Sequence, residues 1–129
     1  ARIEAMEDRT ELNSRLGLWI AFDYGGRAEL VRAARRIAES GMDPREIDEN
    51  VVAQNLYAPE LPDPDLLIRT SGELRVSNFM LWQLAYAELV FLDTLWPDFD
   101  RRHLWYACQL YAQRDRRFGG AVPNPVAPS

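Results

Sequence analysis

The sequence predicts an α/β fold, a parallel sheet flanked by helices. Three observations carry that class. Apolar runs at 16–22, 66–68 and 87–92 have strand length and lack helical periodicity. Between them lie segments with an apolar stripe at helical spacing, clearest at 28–40. Glycine, proline and capping residues mark the changes from one type to the other. Strands that alternate with helices suggest a parallel sheet covered on both faces.

Taken in order, residues 1–9 read as a helix with Ile3 and Met6 on its apolar edge and no cap before it. A polar linker, 10–15, leads into the first strand, 16–22. Asp23, Tyr24, Gly25, Gly26 and Arg27 then form a turn, and the glycine pair permits close approach of a ligand or another backbone. In the helix 28–40, Leu30, Ala34, Ile37 and Ala38 face inward, while Arg32, Arg35, Arg36 and Glu39 form a solvated face. Gly41 ends it. Asp43 caps a further turn with Pro44 at its first position. A short helix follows at 48–56, with Val52 and Leu56 on one side. Pro59, Pro62 and Pro64 hold an extended loop that delivers the chain to the strand at 66–68. The apolar segment 79–86 reads as a helix, 87–92 as a third strand and 96–100 as a turn. Asp100 caps a last helix, 101–117, with Leu104, Cys108, Tyr111 and Ala112 along one face. Residues 1–118 thus make one domain, and the Gly- and Pro-rich end, 119–129, is expected to be disordered. No internal repeat is present.

Composition narrows the function. A chain of 129 residues with 47% apolar residues can bury a core. Its net charge of −5 argues against general binding to nucleic acid or an anionic membrane, but leaves room for a local basic pocket. All 15 basic residues are arginine. The one cysteine, Cys108, cannot form an internal disulfide and reads as a small core residue, which fits a cytoplasmic setting. The one histidine, His103, has no cysteine or second histidine at ligand spacing, so a zinc site is not expected. No apolar run reaches the roughly 20 residues that span a bilayer. The chain opens at Ala1 inside a helical pattern, as a fragment or processed product would.

The most informative stretch is 65–88. Its strand ends at Arg69, and Thr70, Ser71 and Gly72 break the regular structure. Arg75, Ser77 and Asn78 follow, just before the expected helix. Ligands of parallel sheets bind at the carboxyl ends of strands, where 23–27 and 69–77 would lie. A helix start offers unpartnered N–H groups and a favourable dipole to an anion. Two guanidinium groups and a hydroxyl add charge-assisted donors suited to phosphate. Two readings stand on these residues alone: a phosphate or diphosphate site, and a surface turn with solvated arginines.

The stretch 69–79 reads Arg-Thr-Ser-Gly-Glu-Leu-Arg-Val-Ser-Asn-Phe, followed by Leu81-Trp82-Gln83 and Ala85-Tyr86-Ala87-Glu88. It resembles the signature of the cis-prenyltransferases, the family of undecaprenyl diphosphate synthase. Tyr24-Gly25-Gly26-Arg27, Trp96-Pro97-Asp98-Phe99 and Arg116-Arg117-Phe118-Gly119-Gly120 are similar to further family motifs in the same order. The resemblance runs from about Leu18 to Gly120 and implies the carboxyl-terminal part of that fold.

It further implies a Mg²⁺-dependent homodimer that condenses isopentenyl diphosphate with an allylic diphosphate, farnesyl or geranyl, and makes cis double bonds. Positions matching Arg69, Arg75 and Ser77 hold the isopentenyl diphosphate group. The acid matching Glu88 is the catalytic and metal-binding position, organising Mg²⁺ or the homoallylic substrate. Arg117 and Gly119 match a motif that reaches the partner subunit's diphosphate site. Several fixed cations suit a diphosphate, and a hard metal prefers oxygen ligands. A structural alternative for Glu88 is an ion pair with one of those arginines. Glu73 reads first as a salt-bridge partner in the pocket, and Asp65 and Asp98 as structural hydrogen-bonding groups.

The family's amino-terminal half, with its catalytic aspartate and product tunnel, has no counterpart here, so this chain alone is expected to be inactive. Asp23 stands where many relatives have Asn. An undecaprenyl product is the default, with a short product such as Z-farnesyl diphosphate as the alternative. The lipid product would allow peripheral membrane association. Two other readings are a non-catalytic subunit of a cis-prenyltransferase and a phosphate-binding regulatory domain.

Overall fold

The computed structural model describes residues 2–114. Helix α1 spans Arg2–Thr10, α2 Gly26–Ser40, α3 Glu49–Gln54 and α4 Arg101–Ala112, with strands β1 at Leu66–Arg69 and β2 at Glu88–Phe91. The expected tail, 119–129, lies outside the described residues.

β1 and β2 pair in parallel, Leu66 opposite Glu88 and Arg69 opposite Phe91. Beyond the ladder the chains stay tied: the Leu92 amide donates to Arg69 O at 2.8 Å, Gly72 to Leu92 O at 3.0 Å and Ser71 to Thr94 O at 2.8 Å. α4 packs against β2. The core under this contact is Val90, Leu92 and Ala107, with Leu66, Ile68, Phe99 and Leu110 around it. Ala107 has no exposed surface, so α4 approaches the strand closely. A second packing contact joins α2 to α3. Ala33, Ile37 and Leu56 are the buried apolar residues of that region.

Local chemistry sets the helix ends as expected. Gly41 adopts φ 70° and closes α2. Asp43 accepts from the Arg45 amide at 2.9 Å. Asp100 caps α4 reciprocally: its carboxylate accepts from the first turn while its own amide donates to His103 Nδ1 at 3.1 Å. His103 is thereby occupied in the cap.

Four expectations are corrected. Residues 16–22 form no strand. Leu16 is 80% exposed and Phe22 73%, and among the described residues no strand offers them a ladder. An apolar run becomes a strand only where another backbone accepts its hydrogen bonds. Residues 79–86 form successive turns, not an α-helix. Ser77, Asn78 and Met80 take φ of 49°, 62° and 44°, outside the helical region. α2 buries Gly26, Glu29, Ala33 and Ile37, one position round from the predicted stripe. α4 ends at Ala112 and turns Ala107 inward, leaving Leu104 46% exposed.

Candidate functional site

Arg69 is the last residue of β1, at the carboxyl edge of the sheet. The chain then folds back sharply, because Ser71 and Gly72 both take left-handed φ, 68° and 66°. The Gly72 and Ser71 amides anchor this turn to the chain after β2. The fold-back brings Glu73 over Arg69, with Oε2 4.0 Å from Arg69 Nη2. The same oxygen forms a close ion pair with Arg75 Nη2. Two of the three predicted diphosphate ligands therefore converge, and the carboxylate between them is Glu73.

The cluster is built to hold cations at a surface. Glu73 Oε2 is shielded from solvent, and so is Arg69 Nε, which has no acceptor among the described residues. The outer parts of the guanidiniums are open: the Arg69 side chain is 36% exposed and Arg75 67%. Each guanidinium has five donors, so contact with Glu73 leaves most of them free for an anion. Ser77, the third predicted ligand, is exposed and makes no hydrogen bond with either arginine. The dipole that a helix at 79 would have aimed at this site is absent, because the segment is turns. Anion recognition here rests on guanidinium groups.

Glu88 stands elsewhere. It opens β2 opposite Leu66, whereas Arg69 pairs with Phe91. Three residues of strand, about 10 Å, separate the two ends. Its carboxylate is held by Arg114, whose Nη1 lies 2.6 Å from Glu88 Oε2 and 3.0 Å from Leu89 O. The arginine on Glu88 is thus neither Arg69 nor Arg75. No group of three or more His, Cys, Asp or Glu side chains that could hold a metal occurs among the described residues. One carboxylate already facing a guanidinium does not fit a protein-built Mg²⁺ site. Arg117 and Gly119 lie outside the described residues.

Sequence reasoning missed Glu29. It is 2% exposed in the first turn of α2. Its carboxylate accepts from Tyr24 OH, from the Tyr57 amide at 3.0 Å and from Gln83 Nε2 at 3.3 Å. Burial, reinforced by the hydrogen bond to Glu29, pushes the Tyr24 phenol well above its ordinary range. The network joins the glycine turn, the loop after α3 and the 77–86 turns. Its only local signal was the 26/29/33/37 spacing. Asn78 reinforces the joint: Asn78 O accepts from the Gly26 amide at 2.8 Å and Oδ1 from the Arg27 amide at 2.9 Å. Asp23, beside the glycine turn, takes φ 51°, a conformation that Asp and Asn tolerate better than most residues.

Above this network lies an apolar groove of about 440 Å³ lined by Trp19, Phe22, Tyr24, Tyr57, Phe79 and Met80. Tyr24 meets the Phe79 ring edge-on at 5.5 Å and the Tyr57 ring at 6.1 Å. Such a surface suits a hydrocarbon, as the arginine cluster suits an anion.

Comparison with known proteins places the chain in a family. Residues 1–119 match the prenyltransferase family model, described as undecaprenyl diphosphate synthase. A trans,polycis-polyprenyl diphosphate synthase ((2Z,6E)-farnesyl diphosphate specific) of Thermobifida fusca is 56% identical over 126 residues, which is 95% of this chain and 45% of the relative. A decaprenyl diphosphate synthase of Mycobacterium tuberculosis is 50% identical over 119 residues, 89% of this chain and 40% of the relative. The crystal structure of lavandulyl diphosphate synthase from Lavandula x intermedia, in complex with dimethylallyl diphosphate, superposes with a TM-score of 0.84 at 41% identity. That match covers 91% of this chain and 52% of the solved one. The chain spans about half the length of the curated relatives it matches. It belongs to the undecaprenyl diphosphate synthase family of prenyltransferases.

Proposed function

We propose that this chain supplies the isopentenyl-diphosphate side of a cis-prenyltransferase, which condenses that unit with an allylic diphosphate. The observation that carries the reading is the convergence of Arg69 and Arg75 on one carboxylate at the carboxyl edge of the sheet. A diphosphate presents several anionic oxygens close together and needs more than one fixed cation. The arginines hold the diphosphate, Ser77 contributes a hydroxyl, and the apolar groove takes the isoprenoid carbons. In the complete protein Arg117 and Gly119 would complete a diphosphate site across a homodimer, and Glu88 would serve as the acid that organises the homoallylic substrate. The reaction would depend on Mg²⁺, which when bound would neutralise diphosphate charge; the described residues offer no side-chain cluster to hold it.

The allylic partner is of the farnesyl or geranyl type. The specificity of the Thermobifida fusca relative for (2Z,6E)-farnesyl diphosphate supports the former. A long, undecaprenyl-like product is the default.

The test is kinetic. In the complete enzyme, Arg69→Ala and Arg75→Ala each raise the KM for isopentenyl diphosphate by on the order of tenfold or more, the loss of a charge-assisted contact. Chelation by EDTA stops turnover and added Mg²⁺ restores it. Unchanged kinetics in both arginine variants rejects the assignment.

A further inference from the structure

Glu73 is the carboxylate that the two arginines share. Its Oε2 is shielded from solvent, yet it is the atom that both guanidiniums approach. Arg75 is 67% exposed and carries its charge on a long, flexible side chain. Without a fixed anion beside it, Arg75 would spread through solvent and the like charge of Arg69 would repel it. The base of Glu73 is itself fixed. The preceding turn is pinned by the Ser71 and Gly72 amides to Thr94 O and Leu92 O, at 2.8 and 3.0 Å.

We infer that Glu73 is a positioning residue for the diphosphate site: it holds Arg69 and Arg75 at a spacing that lets both engage one ligand. It does not touch the ligand. This rests on the function proposed above. A displaceable counter-ion would have the opposite effect, because its removal would unmask the arginines and tighten anion binding. The shielded oxygen and the pinned turn favour positioning.

Calorimetry with inorganic pyrophosphate on the complete protein separates these outcomes. Glu73→Ala and the nearly isosteric Glu73→Gln are each expected to weaken pyrophosphate binding on the order of tenfold. In turnover they raise the KM for isopentenyl diphosphate and leave kcat close to wild type, a split that a general loss of folding would not produce. Glu73→Gln keeps the test valid if the alanine variant fails to fold. Wild-type or tighter binding in Glu73→Gln, with binding lost in Arg69→Ala and Arg75→Ala, overturns the inference and leaves the proposed function standing. Wild-type binding in the two arginine variants overturns both.

Discussion

Gly26 offers the sharpest test of how the glycine turn and the signature segment fit together. A Cβ at this position would lie 2.9 Å from Leu81 Cγ, 3.1 Å from Asn78 O and 3.2 Å from the Leu81 amide nitrogen. Two of those atoms are backbone and cannot swing aside. Gly26 is buried, and its own amide donates to Asn78 O at 2.8 Å. Gly26→Ala therefore pushes α2 away from the 78–81 turns and stretches the bonds that join them. Overpacking of this kind costs about 1–3 kcal/mol. Alanine's better helix propensity returns up to about 1 kcal/mol, less in a first turn. The net loss is about 1–2 kcal/mol, a fall in Tm of roughly 3–8 °C for a domain of this size. Gly41→Ala is the informative comparison, because Gly41 has φ +70° and nothing within 4 Å of an added Cβ. Its penalty is conformational, so Leu81→Ala should leave it unchanged, while the same change should relieve part of the Gly26→Ala penalty. Thermal denaturation of the two singles, Leu81→Ala and the two doubles reads this out. A Gly26→Ala protein as stable as wild type, or a Leu81→Ala background that rescues Gly41→Ala equally, refutes the steric argument.

Other predictions follow from the same geometry. Glu29→Ala leaves the Tyr57 amide, Tyr24 OH and Gln83 Nε2 without their shared acceptor. It should lower stability by about 2–4 kcal/mol in chemical denaturation, with Glu29→Gln less damaging. The Arg102 side chain, the largest cause, holds the Asp100 carboxyl down at about 2 against an ordinary 3.8. Because the folded value is the lower one, the stabilisation is present above pH 4 and is lost as pH falls towards 2. Asp100→Asn should therefore flatten the stability profile in that window. Arg114→Ala should lower Tm only slightly, since a partly exposed pair contributes up to about 1 kcal/mol.

What the sequence made legible was chemistry that acts over one turn. Asp43, Asp100 and Gly41 were readable as caps because each satisfies a backbone group within three residues. The strands at β1 and β2 were readable because their partner lay within the chain. The run at 16–22 has the same apolar composition, but composition specifies only a tendency to pair. Faces were harder. On α2 the predicted stripe took leucine and alanine as inward, yet Glu29 is the buried residue and Leu30 only half-buried. Glu29 is inside because Tyr57 and Gln83, 28 and 54 positions away, bring it donors. No local window contains that information. The 79–86 segment failed for a related reason: Asn78 is committed to capping α2, and the left-handed φ this demands ends any helix before it starts.

The same distinction governs the site. Arg69, Arg75 and Glu88 fall within one short signature, which invites the assumption that they share one pocket. Parallel pairing forbids it within this sheet. A strand that ends at Arg69 and a neighbour that begins at Glu88, running the same way in register, place those residues at opposite edges. The connection 70–87 returns the chain to the starting edge, as any parallel crossover must. Glu73, which local reading ranked as an accessory, lies at the right edge because the chain reverses within three residues of Arg69, before the crossover begins. If Glu88 acts on a ligand bound at Arg69 and Arg75, it does so across a distance of about 10 Å or more. A link that long needs an intervening metal–phosphate array or a second copy of the chain. Mixing Arg69→Ala and Glu88→Ala protomers of the complete enzyme distinguishes these. Restored activity in the mixture assigns the two residues to different chains of one site, and persistent loss assigns them to the same chain.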